Sequence, residues 1–306
     1  MPGTVAEIKH PRRVVKAVLA VALAIPIVLG GTANAKTSSP RVTIGTKDFT
    51  EEFVLGQLYK QALEAKGFKV SYTENVGSSE LIDSALTSGK INFYPDYTGV
   101  VVLDLAHQKA PTTEEATFLA AKAFEEKRGF TLLDRTPFYR TDTFTVLKTT
   151  ARKYGLKTIS DVQKVPSPSY GGYPECRTRI TCLLGLQRIY GLKNLKFVPL
   201  GTIPVATLID RRKITGGDIF STEPPLATGK YVSLADTKHI FGFQNVAPIV
   251  AKSLVTAGGS RFTSTVNAVS AKLTNAAMIA MNKAVGVDKK TPAAVAKAFL
   301  KANGLA

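Results

Sequence analysis

Between Val42 and Val100 the chain alternates short apolar strands with helices, and that alternation admits few folds. Val42 to Ile44 reads as a strand. A helix follows at the polar turn Gly45-Thr46-Lys47-Asp48-Phe49-Thr50-Glu51-Glu52, with Asp48 as its N-cap three residues ahead of Glu51 and with Phe53, Leu55, Leu58 and Leu63 at helical spacing. Gly67 ends it, and Lys69 to Thr73 alternates as a second strand. Ser79 opens a helix through Leu81, Ile82, Ala85 and Leu86 that stops at Gly89, and Ile91 to Tyr94 forms a third strand, broken by Pro95. Strands interleaved with helices build a parallel sheet whose ligands bind at the strand ends. Lys47 and the tyrosines Tyr94 and Tyr97, read as exposed, stand at such ends. A cation beside aromatic faces suits a small solute that bears both charges.

A second unit of this kind recurs downstream. Leu208-Ile209-Asp210 echoes Leu81-Ile82-Asp83, then the chain passes Gly216 and Gly217, forms a strand at Asp218 to Phe220, and turns at Ser221-Thr222-Glu223. This motivates two lobes sharing a cleft, with Thr143 to Leu147 and Val246 to Val250 as the crossing strands. From Ser264 to Leu300 helical spacing returns, interrupted at Gly286 to Lys290, as expected for a helical cap on the first lobe.

The first 35 residues stand apart. Lys9, Arg12, Arg13 and Lys16 precede an apolar run from Ala17 to Leu29, and Ala33-Asn34-Ala35 is an A-x-A cleavage signal. The expectation is a secretory signal peptide over 1–35 and a mature protein exported to the periplasm or cell envelope. An uncleaved anchor is the alternative, disfavoured because Pro26 and two glycines interrupt the run. No cysteine follows it, so no lipid anchor is expected. In an exported chain, Cys176 and Cys182 are expected to form a local disulfide.

Composition narrows the function classes. The formal net charge is +17, enough to attract polyanions. Yet the bases are scattered, there is no tryptophan, and no aromatic-interleaved basic stretch is present, which argues against nucleic acid. A basic protein that binds envelope polyanions stays open as an alternative. His107 and His239 have no neighbour at ligand spacing, and no metal or cofactor is expected. There is no G-x-S-x-G, H-E-x-x-H, phosphate-loop or dinucleotide motif. The paired acids Glu51/Glu52 and Glu125/Glu126 are adjacent on helices and point apart, so they cannot flank one bond. An enzyme is not expected, though a secreted enzyme on a similar two-lobed fold remains the rival.

Several segments together carry a resemblance: Gly45 to Glu52, Tyr94-Pro95-Asp96-Tyr97-Thr98-Gly99, Pro174-Glu175-x-x-x-Arg179, Phe220-Ser221-Thr222, Ala247-Pro248 and Val295-Ala296-Lys297-Ala298-Phe299-Leu300. In order, they resemble the substrate-binding proteins of osmoprotectant ABC transporters, which take glycine betaine, choline, carnitine and related quaternary amines. The resemblance implies an α/β, two-lobed periplasmic-binding-protein-like fold of type II, with a ligand cleft between the lobes and a hinge of two crossing strands. Lobe 1 would comprise 41–140 and 246–306, and lobe 2 141–245. It also implies a monomer that delivers a quaternary-amine or zwitterionic ligand to a separate ABC permease and ATPase.

Carried over by position, Tyr97 matches a cage tyrosine, Asp142 an oxygen donor to the cation, and Lys47 and Arg179 the carboxylate-binding bases. Phe144 and Phe220 stand where cage tyrosines are usual, Ala206 where a fourth aromatic is expected, Val100 where a hydroxyl is usual, and Glu52 where glutamine is frequent, so the alternative is the same transporter role with a bulkier or different ligand in an altered cage. Each has a plainer reading: Phe144 and Phe220 as core aromatics, Lys47 as a solvated loop charge, Arg179 as a brace for the cysteine loop. Tyr97 resists one, because a large aromatic in a turn has little core to pack against.

Overall fold

In the computed structural model, which describes residues 40–201 and 203–306, β1 (Arg41–Lys47), α1 (Thr50–Ala65), β2 (Lys69–Gly77), α2 (Ser79–Thr87) and β3 (Phe93–Tyr97) form the expected alternating run. The expected signal peptide, residues 1–35, lies outside the described residues. After β3 come a helical turn α3 (Thr98–Val100), α4 (Glu114–Glu126), β4 (Phe130–Leu132), β5 (Thr145–Leu147), α5 (Lys148–Tyr154), β6 (Ser169–Gly172), α6 (Leu183–Arg188), β7 (Lys196–Pro199), α7 (Val205–Asp210), β8 (Gly216–Gly217) and β9 (Tyr231–Ser233). The chain closes with β10 (Val246–Ala251), α8 (Lys252–Ser270), α9 (Asn275–Gly286) and α10 (Pro292–Ala302).

Two five-stranded sheets result, ordered β2-β1-β3-β10-β4 and β7-β6-β8-β5-β9. Each has three parallel strands on one side and an antiparallel fourth that joins them to an edge strand. The echo between Leu81-Ile82-Asp83 and Leu208-Ile209-Asp210 falls at one topological place, since α2 precedes β3 and α7 precedes β8, the third parallel strand of each sheet. Apolar clusters cover both faces of each sheet. The C-terminal helices pack on α1 through Phe262, Val266, Met278, Val295 and Leu300, capping the first sheet.

Four local expectations are corrected. Helix α1 begins at Thr50 after an extended Phe49, with no side-chain cap; Asp48 is exposed one residue too early, and Glu51 in the first turn complements the helix dipole instead. Pro95 does not break β3. It lies directly opposite Pro248 of β10, and a position that exchanges no N–H bonds accepts two prolines without loss to the ladder. Residues 218–220 are not strand: Asp218 N–H still donates to Gly171 O of β6, but beyond it Ser221 N–H donates to Thr141 O and Thr143 N–H to Asp218 Oδ1, tying the stretch to a crossing segment.

The crossings themselves are the extended stretches just before β5 and β10, joined by the Tyr139 to Asn245 bridge and by Arg140 N–H to Gln244 O at 3.1 Å. β5 and β10 lie within the sheets. A third contact between the halves runs through α9, which packs on the turn at Pro224–Thr228.

Candidate functional site

Strands β1 and β3 are parallel neighbours, so their C-terminal ends bring Lys47 beside Asp96 and Tyr97. The Lys47 ammonium is buried and paired with Asp96, and Lys47 N–H donates to Glu52 Oε2 at 3.4 Å. Burial opposes its charge, but the carboxylates of Asp96 and Glu52 outweigh that and hold its pKa above the ordinary value. Glu52, fully buried, is pushed up to about 8 by desolvation against the pull of Lys47. Asp96 is thus the chief counter-ion of Lys47 near neutrality.

The Lys47 Nζ sits 4.6 Å from the Tyr97 ring centroid and 6.0 Å from that of Phe49. Those rings stack with centroids 6.2 Å apart and planes 21° from parallel. Tyr97 is fixed by its hydroxyl, which donates to Glu51 Oε1 at 2.7 Å; burial and the Glu51 charge raise its pKa, so it keeps that proton. Glu51 Oε2 also accepts from Asn282 Nδ2 at 2.7 Å, and Asn282 donates to Thr222 O at 2.9 Å. A cleft tyrosine is thereby tied through two side chains to the other half of the molecule.

From that half comes Phe220, with Arg140 from the crossing segment laid on it. The guanidinium carbon is 4.2 Å from the Phe220 centroid and 5.5 Å from that of Phe49. A cavity of about 380 Å³ opens among Lys47, Phe49, Tyr97, Val100, Arg140, Asp142 and Phe220. Gln244 also lines it; its side chain accepts from Val100 N–H at 3.1 Å and stands 2.6 Å from where a Cβ on Gly99 would lie, so a larger residue there would have to push the amide aside and with it that hydrogen bond. Asp142 and Phe220 also line a recess of about 60 Å³ beside Arg179 and the Cys176–Cys182 disulfide. There the buried Asp218 hydrogen-bonds Asp142, and burial followed by the Asp142 charge drives the Asp218 pKa well up.

The geometry is a mixed polar and aromatic cleft between the two doubly covered sheets, walled by rings from both halves, with the buried Lys47 and Asp96, the half-buried Arg140 and Asp142 and the exposed Arg179 around it. The family described as the substrate-binding domain of the ABC-type glycine betaine transport system matches residues 40–302. The chain belongs to that family. A glycine-betaine-binding protein of Pseudomonas aeruginosa is 27% identical over 289 residues, 90% of each chain. The carnitine transport binding protein OpuCC of Listeria monocytogenes is 25% identical over 272 residues, 87% of this chain and 88% of that one. A crystal structure of a glycine betaine/carnitine/choline ABC transporter superposes with a TM-score of 0.80 at 23% identity, over 86% of this chain and 99% of the other. Members of the family are substrate-binding components of osmoprotectant importers rather than enzymes, and the two-lobed α/β fold is shared.

Within this family frame, the cleft brings together Lys47, Tyr97, Val100, Asp142 and Phe220, with Arg179 in the adjoining recess. Two other expected residues lie elsewhere. Phe144, just ahead of β5, is fully buried in the second core, 4.8 Å from the Tyr170 ring, with its carbonyl accepting from Leu234 N–H. Ala206 lies on α7 against the cluster of Val205, Ile209, Ile214 and Tyr231, so a ring there would not face the cavity. Nor are the two tyrosines exposed: β3 is a central strand, Tyr94 is buried among Ile82, Val102 and Ile249, and Tyr97, 4% exposed, ends that strand rather than lying in a turn and packs with the first sheet's core while bordering the cavity. Lys47 is likewise no solvated loop charge.

Two cleft residues escaped the sequence reading. Phe49 sits inside the quoted Gly45 to Glu52 turn, where an aromatic flanked by Asp48 and Thr50 has no helical or strand partner in sequence. Arg140 carried no signal, being one base among many.

Proposed function

We propose that this protein is the extracytoplasmic solute-binding component of an ABC importer, that it binds a quaternary-amine osmoprotectant of the glycine betaine, choline or carnitine type, and that it delivers it to a membrane permease. The observation that carries this reading is the meeting of Tyr97 and Phe49 from one half with Phe220 from the other around a single cavity. A methylated ammonium donates no hydrogen bond, so its recognition falls to the negative faces of aromatic rings, about 0.5–2 kcal/mol each. Asp142 supplies a carboxylate toward the cation, and Lys47 and Arg179 the positive charge for a ligand carboxylate. The names of the relatives, glycine-betaine-binding and carnitine transport binding, agree with that ligand class.

Closure of the two halves over the ligand would expel water and strengthen each of these contacts. Export, with cleavage after Ala35, belongs to the same reading; N-terminal sequencing of protein recovered from the envelope should start at Lys36. A thermal-shift series with glycine betaine, choline, carnitine and unmethylated glycine tests the ligand class. A ligand at a hundred times its dissociation constant should add about 2.7 kcal/mol, and glycine should add none. Equal stabilisation by glycine would contradict recognition through methylated nitrogen.

A further inference from the structure

Every ring of the cleft already faces a cation of the protein itself. Lys47 stands over Tyr97 and Phe49, and Arg140 lies against Phe220 and Phe49. A quaternary ammonium therefore enters a box whose π-faces are in use, and the two occupants differ in how firmly they are held. Lys47 is buried, ion-paired with Asp96 and hydrogen-bonded to Ser79 Oγ at 3.5 Å. Moving it would strand the carboxylate of Asp96, which is itself 1% exposed. Arg140 is half-buried, donates from Nη1 to Thr222 Oγ1 at 3.2 Å, and feels the Glu223 carboxylate only at longer range, with no salt bridge within 4 Å among the described residues. Its guanidinium spans an aromatic from each half of the molecule, which is where an ammonium head gains most from two faces at once.

Resting on the ligand class proposed above, we propose that Arg140 is a specificity-determining residue of this site: its guanidinium stands in for the ligand's ammonium between Phe49 and Phe220, competes with it, and disfavours quaternary amines that bring no anionic group. The competition follows from occupancy, since a face cannot serve two cations at full strength. The discrimination follows from what remains after displacement. Arg140 is anchored on the crossing segment and stays beside the bound ligand, where a carboxylate offers the guanidinium a charge-assisted partner. Choline offers none, and leaves two like charges close together.

Calorimetric titration of choline and glycine betaine into the wild type and into Arg140→Met, Arg140→Gln and Arg140→Lys tests this. Both neutral variants should tighten choline by about 2- to 30-fold, the equivalent of one cation–π contact released, and should tighten glycine betaine less or weaken it. Arg140→Lys, which keeps the charge, should stay near the wild type for choline. Two neutral variants guard against one that fails to fold, as judged by its melting curve. Choline affinity unchanged or reduced in the folded neutral variants, or a lysine variant as improved as they are, overturns this inference alone. Absence of binding by any quaternary amine to wild type and variants overturns it together with the ligand class.

Discussion

At the scale of single residues, the cleft is governed by buried groups whose charges depend on one another. Folded Glu52 keeps its proton up to about pH 8, whereas the unfolded side chain loses it near 4.5. The folded state binds more protons throughout that window, so stability falls as pH rises through it, by at most about 1.4 kcal/mol per pH unit for this group. Glu125, pushed up to about 7 by burial, acts in the same direction. Urea unfolding of Glu52→Gln across the window should therefore show a shallower decline than the wild type, and an unchanged slope would contradict the assignment. Tyr97→Phe keeps the ring but leaves Glu51 Oε1 without its donor, and should cost about 1–3 kcal/mol of stability with little change in ligand affinity. A variant as stable as the wild type would mean that the hydroxyl contributes nothing. That Tyr97 and Lys47 lie at strand ends was readable from their motifs, but that both are buried there was not, because the packing that covers them comes from distant segments. Phe144 and Phe220 were not separable in sequence: the same residue type serves core and cleft, and only the strand's facing decides between them.

At the scale of elements, the alternating strands and helices of the first half were readable from hydrophobic spacing, since each amphipathic segment has one apolar face to bury. The failures lie where tertiary pairing overrides local rules, at Pro95 opposite Pro248 and at residues 218–220, held by the crossing segment at Thr141 and Thr143. Helix α9 shows another contact invisible in sequence, because Asn282 joins Glu51 of one half to Thr222 of the other. Asn282→Leu removes both bonds and leaves Glu51 short of a donor. We expect a loss of about 1–3 kcal/mol, read by denaturant unfolding; a neutral effect would show that α9 merely rests on the second half. The disulfide closes only a small loop, Cα to Cα 5.2 Å apart. Its reduction should lower stability by about 2 kcal/mol without unfolding the protein, and should speed amide exchange around Arg179. Unaltered exchange there would argue against its bracing role.

At the scale of the whole molecule, two sheets of one topology face each other across a cleft, joined by two crossing segments and the α9 contact. Binding energy spent on both aromatic walls at once is what would favour a closed arrangement. Tyr97 and Phe220 would act as those walls, while Phe144 serves only the core. Titration calorimetry of glycine betaine and choline against the wild type, Tyr97→Ala, Phe220→Ala and Phe144→Leu measures this most directly. The account predicts one-to-one binding of at least one of the two amines by the wild type, weakened by about 2- to 30-fold in each of the first two variants, and unchanged affinity in Phe144→Leu despite its lower stability. Binding indifferent to Tyr97→Ala and Phe220→Ala, or lost in Phe144→Leu while the fold persists, would contradict it.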